Sequence, residues 1–317
     1  MKIIMTGATS FVGAAAVREL LRRGHTVTAI VRPASSKLDT ILEGNEEALL
    51  TGRLLVTEND LSEPEKLVEK VTMPQDIFCH FGWGGSGSAA RTDRALQEKN
   101  VEISLETIRT AKALGCRRFL FSGSQAEYGM HQDMITEETA CEPRSLYGEA
   151  KLAMRNKGEE LCKQLGLQYI HTRIFSAYGP GDHPWTLVES CLDAFLNDKE
   201  MSLGACTQNW NFLYIDDLAR GMAALCEAED DAFSCISNPV FNFGGAETKM
   251  LKEFVEEIHT ICGGRGTSQY NTRGENAEGL INLMPSIKKM ETVTGWKPEI
   301  DFKTGITRMI AMRKRTV

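Results

Sequence analysis

Residues 6–13, TGATSFVG, join an apolar strand pattern to an amphipathic helix pattern near the start of the chain. Gly7 permits the tight turn between strand and helix, and Gly13 lets the helix pack closely on the strand. Backbone N–H groups at the start of such a helix bind a pyrophosphate, with support from the helix dipole. A purely structural glycine turn is the alternative, but the position at the first strand–helix junction favours a dinucleotide site.

Alternating strand and helix patterns continue through the first half of the chain. Strand patterns occupy residues 2–6, 26–31, 53–60, 76–82, 117–123 and 167–175, and helical patterns occupy residues 11–23, 63–71, 93–114 and 146–165. This alternation predicts an α/β fold with a Rossmann-type doubly wound parallel sheet and helices on both faces. In such sheets the ligand binds at the carboxyl ends of the strands.

The alternation weakens at the Gly/Pro-rich turn cluster SAYGPGDHP, residues 176–184. We therefore predict that residues 1–175 form an NAD(P)-binding Rossmann domain and that residues 207–243 return to it. Within the returning segment, a strand-then-helix pattern at 209–225 could join the main sheet. Residues 176–206 and 244–317 are predicted to form a smaller α/β substrate-binding lobe.

Composition excludes several classes of partner. The net charge of −7 disfavours nucleic acid or an anionic membrane surface. Nine cysteines without CxxC spacing indicate reduced thiols, and no signal-peptide pattern or membrane-spanning apolar run is visible, so we expect a cytoplasmic protein. His80 has no partner at ligand spacing, so we expect no metal.

Two positions bear on cofactor binding. Ser10 stands where a glycine would bring the backbone closest to the phosphates, and serine is the mildest replacement because its hydroxyl can itself bind phosphate. If position 10 required a positive φ, serine would cost about 1–2 kcal/mol. After the second strand, Arg32 stands without an adjacent acid, and an arginine there suits the 2′-phosphate of NADP. The cofactor is predicted to be NADP or NAD, with NADP favoured unless Arg32 is only a solvated surface residue.

Three residues form a candidate catalytic group. Tyr147 and Lys151 are four residues apart at the start of a predicted helix, so they share one face of it. Ser124 follows the predicted strand at 117–123, at the edge where this type of sheet binds ligands. A phenol titrates near 10, so its use at neutral pH requires a change worth about 4 kcal/mol.

A neighbouring ammonium group and a positively charged nicotinamide both favour the phenolate form of Tyr147. We predict that Tyr147 exchanges a proton with the substrate while hydride moves to or from the nicotinamide. Ser124 is predicted to hydrogen-bond the same substrate oxygen, and Lys151 also to hold the ribose.

With further short segments, these residues resemble the extended short-chain dehydrogenase/reductases of the NAD-dependent epimerase/dehydratase group, the nucleotide-sugar enzymes. The resemblance covers nearly the whole chain. It rests on the order and spacing of TGATSFVG, HFGW (80–83), NV (100–101), SQAEYG (124–129), YGEAK (147–151), RIFSAYGPG (173–181), NFLYIDDLA (211–219), NFGG (242–245) and GWKP (295–298).

The resemblance implies roles for further residues. The pyrophosphate would be lined by Gly7, Ser10, Phe11, Val12 and Gly13, and the adenine flanked by Asp60 and Leu61. The rest of the cofactor would be bordered by Phe81, Gly82, Trp83, Asn100, Ser122 and Phe175, in addition to Tyr147 and Lys151. The resemblance also implies a homodimer through the helices at 93–114 and 146–165.

Dehydratases of this group carry an Asp–Glu pair just after the catalytic hydroxyl residue, and the matching positions here are Gln125 and Ala126. Because neither can transfer a proton as an acid, dehydration is disfavoured. Hydride transfer at one carbon of a nucleotide sugar remains, either as 4-epimerisation with a retained cofactor, usually NAD, or as 4-keto reduction with exchanged NADPH. Arg32 favours reduction, whereas the overall pattern resembles the epimerases slightly more, and both stay open.

On the substrate side the chain departs from the group's pattern. Ser176 stands at the usual asparagine that helps to bind the nucleotide phosphates, and Trp210 at the usual arginine clamp, which an indole does not replace. Arg273 matches the other phosphate-gripping position. With Gln125 these are the candidate substrate residues. Glu127 stands where the group often has valine, and either a substrate contact or a structural partner would explain it.

Two alternatives to the nucleotide-sugar enzyme remain. The departures leave open an NADPH-dependent reductase of a non-nucleotide carbonyl compound. Some proteins of this fold bind NADP as non-catalytic sensors, but such relatives commonly lack the Tyr–Lys pair. The presence of all three candidate catalytic residues favours an enzyme.

Overall fold

The computed structural model describes residues 1–85, 87, 90–274 and 281–315. Residues 275–280 and 316–317, which belong to the predicted C-terminal lobe, therefore lie outside the described residues. The strands are β1 (Lys2–Thr6), β2 (Thr26–Val31), β3 (Leu54–Glu58), β4 (Ile77–His80), β5 (Arg118–Ser124), β6 (Gln168–Ile174), β7 (Ala177–Tyr178), β8 (Glu200–Ser202), β9 (Asn209–Asn211), β10 (Leu213–Tyr214), β11 (Val240–Phe243), β12 (Thr248–Met250) and β13 (Thr267–Gln269).

The helices are α1 (Phe11–Arg22), α2 (Asp39–Leu42), α3 (Glu46–Leu50), α4 (Leu67–Lys70), α5 (Arg94–Ala113), α6 (Leu146–Leu165), α7 (Leu187–Leu196), α8 (Ile215–Glu227), α9 (Leu251–Ile261), α10 (Lys288–Thr294) and α11 (Phe302–Arg315). Short 3₁₀ turns lie at Pro64–Lys66, Ala90–Thr92, Gln125–Glu127 and Asp230–Phe233. None of the helices in the described ranges combines the length and apolar character needed to cross a bilayer.

Seven strands form one parallel sheet in the order β3-β2-β1-β4-β5-β6-β11. The predicted Rossmann-type sheet is therefore confirmed. The chain builds outward from β1 in both directions, so the strand order reverses between β1 and β4. A crevice at the carboxyl ends of these two strands is the expected ligand site of such a sheet.

Both faces of the sheet are covered by helices, as the fully buried strand β4 illustrates. Ile77 and Cys79 belong to the apolar cluster that contains residues of α1 and α8. Phe78, between them, belongs to the cluster that contains residues of α5 and α6. Because successive strand residues point to opposite faces, β4 is apolar at every position except its last, His80.

The C-terminal half supplies one strand to the main sheet and several short pairs beside it. β11 pairs with β6 at the edge of the main sheet. The strand part of the strand-then-helix pattern at 209–225 divides into β9 and β10, which pair with β12 and β7 rather than with the main sheet as predicted. The helix that follows, α8, packs on α1. β13 pairs with β8.

Candidate active site

A cavity of about 390 Å³ lies at the carboxyl ends of β1, β2 and β4, where the strand order reverses. The residues predicted to bind the cofactor that line it are Gly7, Ser10, Arg32, Asp60, Leu61, Phe81, Gly82 and Trp83. Lys37 and His183 also line it. The cavity is therefore the candidate dinucleotide site.

The loop after β1 fits a pyrophosphate because both of its glycines are required by the packing. Gly7 has φ +68°, and a Cβ there would be 2.6 Å from the carbonyl carbon of Phe81 and from the amide nitrogen of Gly82. A Cβ on Gly13 would collide with the carbonyl oxygen of Gly7. The loop therefore folds back on itself and on the end of β4, as a tight phosphate-binding turn must.

Ser10 acts as the N-cap of α1. Its φ of −76° is extended backbone, so serine stands here without strain. Its Oγ accepts a hydrogen bond from the Gly13 amide at 3.1 Å. The amides of Phe11 and Val12, in the first turn of α1, have no intrahelical acceptor and can face an anion.

Two cations stand beside the cavity after β2. Arg32 and Lys37 both line it and are exposed. They flank a turn closed by a 3.1 Å hydrogen bond from the Ser35 amide to the Arg32 carbonyl oxygen. Ala34, in the third position of this turn, has φ +53°, a left-handed conformation uncommon for a residue with a Cβ.

Tyr147 lies in the first turn of α6, which packs closely on the turn after Ser124. Ser145 caps the helix by accepting a 3.2 Å hydrogen bond from the Gly148 amide. A Cβ on Gly148 would collide with the carbonyl oxygen of Ala126. The glycine after Tyr147 therefore permits the close approach of α6 to the end of β5.

Lys151 is buried one helical turn after Tyr147. Its Nζ donates a 2.7 Å hydrogen bond to the carbonyl oxygen of Ser122 on β5. The same Nζ lies 3.8 Å from the ring centre of Trp83 and 5.6 Å from that of Tyr147. Burial lowers the pKa of Lys151 to about 7, although the charge of Glu127 acts in the opposite direction.

Trp83 connects the cavity to the candidate catalytic residues. Its ring is perpendicular to the Tyr147 ring at 6.3 Å, and its Nε1 donates a 2.9 Å hydrogen bond to Oε1 of Gln97 on α5. The Arg91 guanidinium lies over the Tyr147 ring at 4.4 Å. Neither Gln97 nor Arg91 had a sequence signal, because their contacts are with other segments of the packed protein. Gln97 binds the loop after β4, and Arg91, on the 3₁₀ turn before α5, lies against α6.

Three further residues predicted to border the cofactor, Asn100, Ser122 and Phe175, do not line the cavity. Asn100 binds the backbone of Gly84, accepting from its amide at 3.0 Å and donating to its carbonyl oxygen at 2.8 Å, so it supports the loop that carries Trp83. Ser122 receives Lys151 through its carbonyl oxygen. Phe175, buried after β6, lies 6.1 Å from the ring of Tyr128.

Ser124 ends β5 and begins the turn Gln125–Glu127. Its Oγ accepts a 3.2 Å hydrogen bond from the Ala126 amide, and its own amide donates at 2.8 Å to Oε1 of Glu127. Ser124 is therefore held at the sheet edge on the strand that also receives Lys151. Two roles were expected for Glu127, a substrate contact or a structural partner. Glu127 is completely buried, and the structure shows the structural role.

The predicted substrate residues occupy separate positions. Gln125 Oε1 and Trp210 Nε1 are buried polar atoms without a hydrogen-bond partner among the described residues. Trp210 packs against the apolar cluster that contains Phe175. Ser176 accepts a hydrogen bond from Leu213 through its carbonyl oxygen. Arg273 is exposed at the end of a described range, and its amide donates to the carbonyl oxygen of Leu203.

Residues 3–244 match the model of the NAD dependent epimerase/dehydratase family. The chain belongs to this family. The match confirms the resemblance inferred from the glycine loop, the Tyr–Lys pair and the later segments. The match also agrees with the position of the cavity, where the strand order reverses, and with the glycine loop beside it, which fits a pyrophosphate.

Individual relatives cover the chain from end to end. An uncharacterized UDP-glucose epimerase, YtcB of Bacillus subtilis, is 26% identical over 98% of this chain and 97% of its own length. The structure of a UDP-glucose 4-epimerase from Thermotoga maritima, solved with UDP-glucose, matches 100% of this chain and 99% of its own at 21% identity and a TM-score of 0.85. A UDP-glucuronic acid 4-epimerase from Bacillus cereus, solved with NAD, has a TM-score of 0.82 at 22% identity and covers 99% of this chain and 97% of its own.

Proposed function

We propose that this protein is an NAD(P)-dependent enzyme that transfers hydride at one carbon of a nucleotide sugar, by 4-epimerisation or 4-keto reduction. One observation carries the proposal. Tyr147 and the buried Lys151 lie together at the carboxyl ends of the strands, beside Trp83. Trp83 also lines the cavity next to the glycine loop after β1. A proton-transferring group thus stands next to the dinucleotide site. The UDP-sugar epimerases among the relatives favour 4-epimerisation.

Each residue then has a chemical role. The Tyr147 hydroxyl exchanges a proton with the substrate hydroxyl or carbonyl oxygen, and Ser124 hydrogen-bonds that oxygen. A protonated Lys151 favours the phenolate form of Tyr147. A bound nicotinamide supplies the hydride acceptor and donor. Gln125 and Ala126 provide no acid after Ser124, which argues against elimination.

The substrate proposal is tested by binding and turnover. Saturation-transfer NMR with UDP-, dTDP-, CDP- and GDP-sugars measures which nucleotide is recognised, and wild-type turnover is then followed on the sugars that bind. Failure of all four classes to bind contradicts the nucleotide-sugar proposal and favours a non-nucleotide carbonyl substrate. An Arg273→Gln variant tests the predicted phosphate contact, and binding to it should be weaker.

Tyr147→Phe tests the catalytic proposal. We expect turnover to fall about 100-fold or more, because a positioned acid–base group contributes that much. Cofactor affinity, measured by calorimetry, should stay within about threefold, since the ring and its contact with Trp83 are kept. Unchanged turnover in this variant contradicts the role of Tyr147. A wild-type protein that binds the cofactor but turns over no substrate favours the sensor instead.

We propose NADP as the preferred cofactor, because Arg32 and Lys37 line the cavity where the strand after α1 ends. Charge-assisted hydrogen bonds to a 2′-phosphate contribute about 1.5–3 kcal/mol, or about tenfold or more in affinity. Arg32→Gln should lose this factor for NADP and leave the dissociation constant for NAD almost unchanged. Equal or tighter binding of NAD by the wild type contradicts the preference. Tightly held NAD in the purified protein would favour the epimerase over the reductase.

A further inference from the structure

Three consecutive residues at the end of β5 are held between two buried charged groups. Lys151 binds the carbonyl oxygen of Ser122 at 2.7 Å, and Glu127 binds the amide of Ser124 at 2.8 Å. Gly123 lies between them, and a Cβ there would be 2.6 Å from Glu127 Oε1 and would collide with His171 Nε2. A glycine at this position therefore allows the Glu127 carboxylate to pack directly against β5.

Glu127 is fixed in place as a carboxylate. Its oxygens are 2.9 and 3.0 Å from His171 Nε2, and Arg173 Nε donates to Oε2 at 2.8 Å. Burial acts to raise the pKa of Glu127, but these partners and the Ser124 amide outweigh it and lower the pKa to about 2. The carboxylate is shielded from water, so solvent and salt screen its charge only weakly, and its ion pair with Arg173 offsets part of it.

Lys151 is a nearby buried cation, and no carboxylate in the described part of the chain is in direct contact with it. Its Nζ lies over the rings of Trp83 and Phe121, at 3.8 and 4.7 Å, and its hydrogen bond to Ser122 is to a neutral carbonyl. The titratable groups that face it are Tyr147 on its own helix, His80 on β4, His171 on β6 and Glu127 on the turn after β5. Of these, Glu127 is the group that favours a charged Lys151.

We propose that Glu127 is a positioning residue, which holds the turn that presents Ser124 and supplies the negative charge that balances Lys151. The effect of Glu127 on turnover rests on the function proposed above. Its effect on the protonation of Lys151 does not rest on that function and can be measured without substrate. Without Glu127 the buried amine loses its proton more readily and no longer favours the phenolate of Tyr147.

The electrostatic part is tested without any substrate. Glu127→Gln keeps the size of the side chain and removes its charge, and the protonation of Lys151 is followed by NMR of ¹³C-labelled lysine Cε, assigned with Lys151→Met. We expect the Lys151 titration midpoint to fall by about one pH unit, the lower end of the effect of a nearby opposite charge. An unchanged midpoint overturns the proposal, even if the enzyme proves active.

The kinetic part uses a nucleotide sugar that the wild type turns over. Glu127→Gln should reduce kcat about fivefold more at pH 8 than at pH 6. A fall of one pH unit from a pKa of about 7 leaves about tenfold less protonated Lys151 at pH 8 but only about twofold less at pH 6. Cofactor affinity should stay within threefold. A fall of kcat that is equal at both pH values indicates a merely structural role and overturns the proposal.

Two further variants keep the test decisive. Glu127→Asp retains the charge and shortens the reach, so it should restore the pH profile while kcat stays reduced through the loss of the Ser124 contact. If Glu127→Gln does not fold because Arg173 is left buried without its partner, Glu127→Gln with Arg173→Met is titrated instead and compared with Arg173→Met alone, so that the difference in midpoint reports Glu127. A lower midpoint in the double variant is expected, and an equal one contradicts the proposal.

Glu137→Gln is the matched control. Glu137 is also a buried carboxyl that accepts a backbone hydrogen bond, from the Asn242 amide at 2.9 Å. Its loss should lower stability and leave the Lys151 midpoint and the pH profile unchanged, and a shift of equal size there overturns the specific role of Glu127. A wild type without turnover contradicts the proposed function, while the NMR titration still decides the coupling of Glu127 to Lys151.

Discussion

Ser10 caps α1 through its hydroxyl, and the extended φ of −76° lets serine, alanine or glycine stand at this position. We predict that Ser10→Ala lowers the free energy of unfolding by about 1 kcal/mol and Ser10→Gly by only a few tenths. Chemical denaturation measures both. Because the backbone already has the required shape, the dissociation constant of the cofactor for Ser10→Gly should stay within threefold. Tenfold tighter binding would show that serine obstructs the phosphates.

The lowered pKa of Lys151 implies a specific pH dependence of the free energy of unfolding. Its pKa of about 7 in the folded protein is below the ordinary value of 10.5, so between these values the unfolded chain binds more protons and stability rises with pH. The cost of burying Lys151 is therefore complete below pH 7 and shrinks above it. Lys151→Met should gain stability relative to wild type at pH 6, and this gain should decrease by about 1.4 kcal/mol per pH unit above pH 7. Urea denaturation of both proteins from pH 6 to 9 checks this, and a gain independent of pH contradicts it.

At the residue scale, what the sequence could predict depended on whether a residue's role is local. The glycines of the first loop and the Tyr147–Lys151 spacing are local patterns, and both lie where the pattern predicted. The roles of Asn100 and Glu127 depend on side-chain direction in the packed protein. Asn100 turns to Gly84, which is 16 residues away, and Glu127 to residues of β6. No local signal contains that information.

At the element scale, Gln97 connects α5 to the loop that carries Trp83. This buried amide accepts from Trp83 Nε1 at 2.9 Å and donates to the carbonyl oxygens of Gly85 and Ala90 at 3.1 and 2.9 Å. Gln97→Leu leaves these groups without their partner, so we predict a loss of about 1–3 kcal/mol in the free energy of unfolding. Cofactor affinity should fall as well, because Trp83 lines the cavity.

The control for this prediction is Gln75→Leu. Gln75 is equally buried and donates to the Met73 carbonyl oxygen at 2.9 Å, at the opposite end of the sheet. It should cost stability and leave the dissociation constant of the cofactor unchanged. Loss of affinity in both variants, or in neither, contradicts a specific role for Gln97.

Elements differ in how far local sequence specifies them. α6 was predicted at 146–165 and has these bounds, because Ser145 caps it and Gly166, with φ +66°, ends it. The short strands beside the main sheet had no comparable signal. β9 has three residues and pairs with β12, almost 40 residues later in the chain. Such pairs join segments that are far apart in the chain, so no local pattern specifies them. The predicted division into two lobes stays a prediction.

At the scale of the whole molecule, cofactor and substrate are not equally well defined by the chain. The cofactor cavity depends on backbone shape, which the glycine loop and the strand order fix together. The substrate side depends on individual side chains from separate segments, such as Gln125, Trp210 and Arg273. Two of these have unpartnered buried polar atoms, and the third is exposed. The nucleotide therefore has to be identified by binding measurements.

The last prediction concerns assembly through α5 and α6, which pack side by side. A groove of about 400 Å³ on these helices is lined by Val101, Leu105, Leu146, Ala150 and Ala153, with charged residues around them. A second copy placed on this surface by a twofold axis would cover the apolar residues of both chains. We predict a dimer in sedimentation velocity, and Ala153→Glu should convert it to a monomer by placing a charge in the groove. Gln164→Glu adds the same charge at an exposed position near the end of α6 and should stay dimeric. A wild type that is monomeric at all concentrations, or an Ala153→Glu variant that remains a dimer, contradicts this interface.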